Sequence, residues 1–186
     1  IDGIGACAAF ALFIAFGEIL RITLPGGRQT APLASAGALA FALLPGFKDS
    51  ELTVTMALAV SVVTLGSVVG AFPRGLVGRA MHLDELARRV LTTLFAASAF
   101  HLVLKRLVPD SAESAWKLAL GMTVVAVLAA LLDAVLAAAV RSSQQRAPFR
   151  TALIDEFRAL VGTSAAIAAT GVPIALAAPR MGYLAL

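Results

Sequence analysis

The chain has 186 residues, 60% of them hydrophobic and 14% charged, with a net charge of +4 and a mean hydropathy of +0.91. A soluble domain carries roughly 25% charged residues, so this composition excludes an ordinary water-soluble globule and predicts an all-α, polytopic transmembrane helix bundle whose main solvent is lipid. The basic residues are scattered without interleaved aromatics, which argues against a nucleic-acid partner, and the lone Cys7 excludes an internal disulfide or a cysteine metal cage.

The first predicted span covers residues 3–24. Its centre is uncharged, and it closes with Glu18 and Arg21, three apart and so on one helix face. The chain opens on Ile1 without a basic start, which predicts a clipped or fragmentary chain rather than a signal peptide. Pro25-Gly26-Gly27-Arg28 stops the span; it lacks the Gly-Lys-Ser/Thr ending of a phosphate loop. The second span, 29–47, is uncharged and rich in small residues from Ala34 to Ala38, and Pro45-Gly46 ends it.

The third span, 52–73, is also uncharged. It carries Gly66 and Gly70 at the Gly-x-x-x-Gly spacing that lets two backbones approach closely. The expected use is packing inside the bundle, with a homodimer or larger membrane complex as the alternative. Residues Arg74 to Arg89 hold four arginines, His82, Asp84 and Glu85, and read as a loop followed by an interfacial helical turn. The fourth span, 88–107, is apolar from Val90 to Leu104. Its flanking Arg88-Arg89 and Lys105-Arg106 are expected to snorkel to the headgroups.

Pro109-Asp110-Ser111 makes a turn, and Trp116 and Lys117 mark an interface. The fifth span, 117–140, is interrupted only by Asp133. After a polar loop from Arg141 to Arg150, Thr151 is placed to cap a sixth span, 157–178, preceded by an amphipathic start with Asp155, Glu156 and Arg158. A seventh span is expected to begin near Met181. If the six spans alternate, ten of the fifteen basic residues fall on one side and five on the other. The positive-inside rule then puts the richer side in the cytoplasm and the N-terminus outside, giving a multi-pass membrane protein.

Four polar residues in apolar surroundings are ligand or switch candidates. Glu18 and Arg21 form an intramembrane ion pair or an interfacial pair in the headgroup layer. Asp133, in Leu131-Leu132-Asp133-Ala134-Val135, must face the bundle interior, find a partner or take up a proton. It reads equally as a functional site and as a structural hydrogen bond. His101 reads as a packing histidine or as a ligand contact, and no second histidine stands at metal-ligand spacing. No nucleophile elbow or zinc motif occurs, so no catalytic residue, metal or cofactor is expected in these 186 residues.

The stretch Ala15 to Leu33, which contains Gly17-Glu18-Ile19-Leu20-Arg21 and the Pro25-Gly26-Gly27 turn, resembles the membrane-embedded N-terminal sensor regions of actinobacterial HD-type metal-dependent phosphohydrolases; similar regions precede diguanylate cyclase domains. Ala34-Ser35-Ala36-Gly37-Ala38, Ala87-Arg88-Arg89-Val90-Leu91 and Gly182-Tyr183-Leu184-Ala185-Leu186 share the likeness. The resemblance implies a sensory input module of cyclic-dinucleotide signalling, continuing into a cytoplasmic enzyme domain. No His-Asp dipeptide occurs here, so none of that domain's metal ligands carry over. Two other readings compete. One is a substrate-binding subunit similar to those of energy-coupling-factor vitamin importers, and the other is an accessory subunit of a larger membrane complex.

Overall fold

The computed structural model describes residues 3–20, 22–23, 29–30, 32–44, 51–71, 83–107, 115–145, 148–158 and 173. Five helices follow one another: α1 (Gly3–Ile19), α2 (Pro32–Ala42), α3 (Leu52–Ala71), α4 (Leu83–Leu107) and α5 (Ala115–Gln145). A further helix, α6, covers residues 149–158. The described chain is therefore all-α apart from a two-residue ladder that pairs Ile22 with Thr30 and Thr23 with Gln29 between α1 and α2.

That ladder shortens the first expected span. Ile22 and Thr23 are β-branched and precede Pro25, so they favour extended backbone over another helical turn, and α1 ends at Ile19. The second segment is shorter still, because α2 has 11 residues, a rise of about 16 Å. At the other extreme, α4 starts at Leu83, seven residues before the apolar run, with Asp84 and Glu85 in its first turn where the helix dipole favours them. The 31 residues of α5 extend about 46 Å, well beyond a hydrocarbon core of about 30 Å. At the start of α6 the Pro148 carbonyl accepts the N–H groups of Thr151 at 3.0 Å and Ala152 at 3.2 Å. Thr151 thus lies inside the first turn, and Pro148 occupies the cap.

Three helices, α3, α4 and α5, are long and apolar enough to cross a membrane, while α1 and α2 are apolar but shorter. The expected six spans are therefore met by three of the described helices. The rest of the sixth segment, apart from Pro173, and the start of the seventh lie outside the described residues.

Contacts between side chains set the directions. A Cβ added at Gly66 would come within 2.7 Å of the Ala11 carbonyl oxygen, and one at Gly70 within 2.6 Å of Glu18 Cβ, so α1 and α3 run parallel. The helix between them, α2, runs back: Gly37 packs on Phe13 and Ile14, while Gly17 abuts Ala34. Gly121 of α5 abuts Val103 of α4, and Asp133 reaches Arg88, so α4 and α5 are antiparallel. The five helices alternate in direction, which brings the ends of α1, α3 and α5 and the start of α4 to one end of the bundle.

The core is built from small residues. Alanines of all five helices are buried, around a few large side chains: Phe10, Ile14, Phe41, Phe100 and Met122. Phe10 and Phe41 meet edge to face with ring centroids 5.3 Å apart. Larger aliphatic and aromatic residues, including Leu12, Phe16, Leu65, Val124 and Val127, point outward. Small inside and large outside is the arrangement expected where lipid solvates the exterior and close backbone contact holds the helices.

Candidate functional site

The charged side chains gather at the end of the bundle where α1, α3 and α5 finish and α4 begins. Glu18 stands in the last turn of α1 and is 2% exposed. It has room because Gly70 of α3 lies opposite, where a Cβ would press on Glu18 Cβ and on the Ala15 backbone. Gly66, one turn earlier, admits Ala11 and Ile14 in the same way. The Gly-x-x-x-Gly pair thus faces α1 within the chain, and its closest neighbours are the residues that carry and precede Glu18.

Arg89 of α4 fills the space between α1 and α3. Its Nη1 donates to Glu18 Oε1 and, at 2.9 Å, to Ser67 Oγ. Its Nη2 donates to Glu85 Oε1, one turn back on its own helix, at 3.4 Å. The side chains of Glu18 and Arg89 are 3% and 8% exposed, so the pair is almost wholly withdrawn from solvent. Charge-assisted hydrogen bonds of this kind are about twice as strong as neutral ones, but two ions taken out of water also incur several kcal/mol of desolvation each.

Arg88, the next residue back along α4, turns to the other side. Its Nε lies 2.8 Å from Asp133 Oδ1 of α5. This is an ion pair without hydrogen-bond alignment, since that Nε makes no hydrogen bond. It is the wetter of the two, with side chains 20% and 37% exposed. Farther out, Arg141 Nη1 lies 3.8 Å from Asp155 and 3.7 Å from Glu156 of α6, and Gln144 Nε2 donates to Asp84 at 3.4 Å. The charged layer therefore grades from a dry centre at Glu18 and Arg89 to an open rim at Arg141.

Glu18 and Asp133 both reach α4; Arg21, the partner expected for Glu18, and His82 lie outside the described residues. The guanidinium groups of Arg88 and Arg89, which were expected to reach the headgroups, turn to Asp133 of α5 and Glu18 of α1. The reason is the early start of α4, which carries both arginines into the bundle to the level of two carboxylates that need cations. His101 is not part of this layer. It lies twelve residues along α4 from Arg89, about 18 Å away, and is 2% exposed, with neither ring nitrogen partnered among the described residues.

Ser67, Glu85, Arg88 and Arg89 are the participants that sequence reasoning missed. One signal pointed to them. Two carboxylates in apolar runs require two cations, and Arg88-Arg89 is a basic pair that continues directly into an apolar helix.

The arrangement binds helices together and offers no reactive constellation. No side chain here is a nucleophile held by a base, and among the described residues no group of three or more His, Cys, Asp or Glu stands close enough to hold a metal ion. What the layer does supply is a set of charge contacts linking α1, α3, α4 and α5 within one cross-section. Neither protein-family models, nor characterised proteins, nor solved structures gave a match to the chain.

Proposed function

We propose that this chain is the membrane-embedded input module of a bacterial signalling protein. In this reading it is a multi-pass bundle of six spans and the opening of a seventh, with its N-terminus outside the plasma membrane. It feeds a cytoplasmic HD-type metal-dependent phosphohydrolase domain beyond Leu186 and contributes no catalytic residue itself.

The observation that carries the reading is the buried contact of Arg89 with Glu18 and Ser67. A well-packed apolar trio there would hold the helices as well or better, because desolvation offsets most of the attraction within a buried ion pair. Retaining charges in such a place makes sense where their partnerships change, which is how a sensor converts a signal into helix movement. The sequence likeness around Ala15 to Leu33 supports the same reading, and so does the position of the layer at the end where the basic residues accumulate.

The test uses the full-length gene product. An HD-type domain downstream, with hydrolase output altered by Glu18→Gln and Asp133→Asn in protein that still inserts and folds, supports the proposal. Unchanged output from both variants refutes it. A stop codon after Leu186 transfers preference to the accessory-subunit reading, which the outward apolar face of α5 at Leu120, Val124, Val127 and Leu131 favours. Co-purification of a vitamin and an ATPase module would instead mark a transporter.

A further inference from the structure

We infer that Arg89 is a two-position latch and that Arg88, beside it, makes the latch sensitive to α5. The inference concerns how the bundle moves, and it stands whether or not the chain is attached to a signalling effector.

Two carboxylates flank the Arg89 guanidinium. Glu18 lies across the interface on α1, and Glu85 lies one turn back on α4 itself, 3.4 Å from Nη2. In the present arrangement Arg89 contacts both carboxylates, and the contact to Glu85 is long. At 3.4 Å this hydrogen bond from nitrogen is a long one, so the guanidinium has room to draw closer to Glu85. A buried arginine that lost Glu18 with no substitute would be left as an uncompensated charge, at a cost of several kcal/mol. Glu85 removes that obstacle. Arg89 can leave α1 and remain paired, so its guanidinium has two paired positions: α4 locked to α1 and α3, or α4 paired within itself and released from them.

Arg88 ties this choice to the far side of the bundle. Consecutive helical residues point about 100° apart, which is why Arg89 faces α1 and α3 while Arg88 faces Asp133 of α5. A rotation or slide of α4 therefore moves both guanidinium groups together. A helix shift of about 1–2 Å is typical of switching transitions. It is enough to carry the 2.9 Å contact with Ser67 out of hydrogen-bonding range. Hence α1 and α5 respond to each other through two adjacent side chains of α4. Because coupling of this kind is reciprocal, a perturbation on either side must be felt on the other.

The experiment places nitroxide labels on exposed positions of the full chain in lipid nanodiscs, in a Cys7→Ser background. One pair, at Leu12 and Leu65, reads the seat of α1 on α3. A second, at Leu91 and Val135, reads α4 against α5. Asp133→Asn, which acts on α5, should shift the Leu12–Leu65 distance or add a second population displaced by about 1–2 Å. Glu18→Gln should do the same to the Leu91–Val135 distance. Glu85→Gln, which removes the alternative partner, should narrow the Leu12–Leu65 distribution. If Asp133→Asn fails to accumulate in the membrane, Arg88→Lys, which keeps the charge and shortens the reach, is read with the same pair. Unchanged Leu12–Leu65 distances in the α5-side variant overturn the inference, even where Glu18→Gln shifts them. Equal widths with and without Glu85 overturn the two-position latch.

Discussion

Glu18→Gln isolates the most buried charge among the described residues. The substitution keeps the side chain's shape and its capacity to accept a hydrogen bond while removing the negative charge. Arg89, 8% exposed, then keeps Ser67 and the longer contact with Glu85 but loses its principal counter-ion. Breaking one side of a buried pair typically costs 3–5 kcal/mol. Because Glu85 and Ser67 remain, the lower end applies, about 3 kcal/mol, or roughly a hundredfold in the folded-to-unfolded ratio. Unfolding in mixed detergent micelles, followed by the fluorescence of the single Trp116, reads this directly. The double variant Glu18→Leu/Arg89→Leu is the decisive companion. It removes both charges and should recover most of the loss, since a well-packed apolar replacement of a buried pair is often neutral. A single variant within about 1 kcal/mol of the parent, or a double variant worse than the single, would refute the assignment of Glu18 as the buried counter-ion of Arg89.

Other consequences follow from the same geometry. Asp133→Asn should cost far less than Glu18→Gln in the same unfolding assay, about 1 kcal/mol or below, because that pair is partly solvated. Gly70→Ala should destabilise by about 1–3 kcal/mol, since the added methyl meets backbone of Ala15 as well as Glu18, whereas Gly121→Ala meets only a Val103 methyl that can turn aside and should be near neutral. In a membrane-insertion assay, Val127→Arg should disfavour insertion of α5 by about 2.5–3.5 kcal/mol, because Val127 faces outward near the middle of the helix.

The sequence carried the helical class and most stops in plain form. The uncharged run in 52–73 and the apolar run in 117–140, interrupted by Asp133, became α3 and α5, and Pro25 and Pro45 follow the ends of α1 and α2. Gly66 and Gly70 signalled a close backbone approach, though not that α1 was the helix approaching. The misplaced boundaries share a cause. Hydropathy marks where a helix is apolar, not where its hydrogen bonds begin, so the polar start of α4 read as a separate interfacial helical turn and the last turn of α5 as loop. The charged layer was half legible. A carboxylate in an apolar run announces that it needs a partner, but the contact of Glu18 with Arg89 spans 71 residues, a separation that local spacing rules cannot bridge. His101 stays unexplained by either reading. Its burial without a partner for either nitrogen is a cost of about 1–3 kcal/mol that the described residues do not relieve.

The outward-facing leucines, valines and phenylalanines require hydrocarbon around the bundle. Alkaline carbonate and urea extraction of membranes from cells expressing the chain tests that most directly. The account predicts that the protein stays with the lipid pellet and is released only by detergent. Release into the supernatant as a folded, monodisperse species would contradict it.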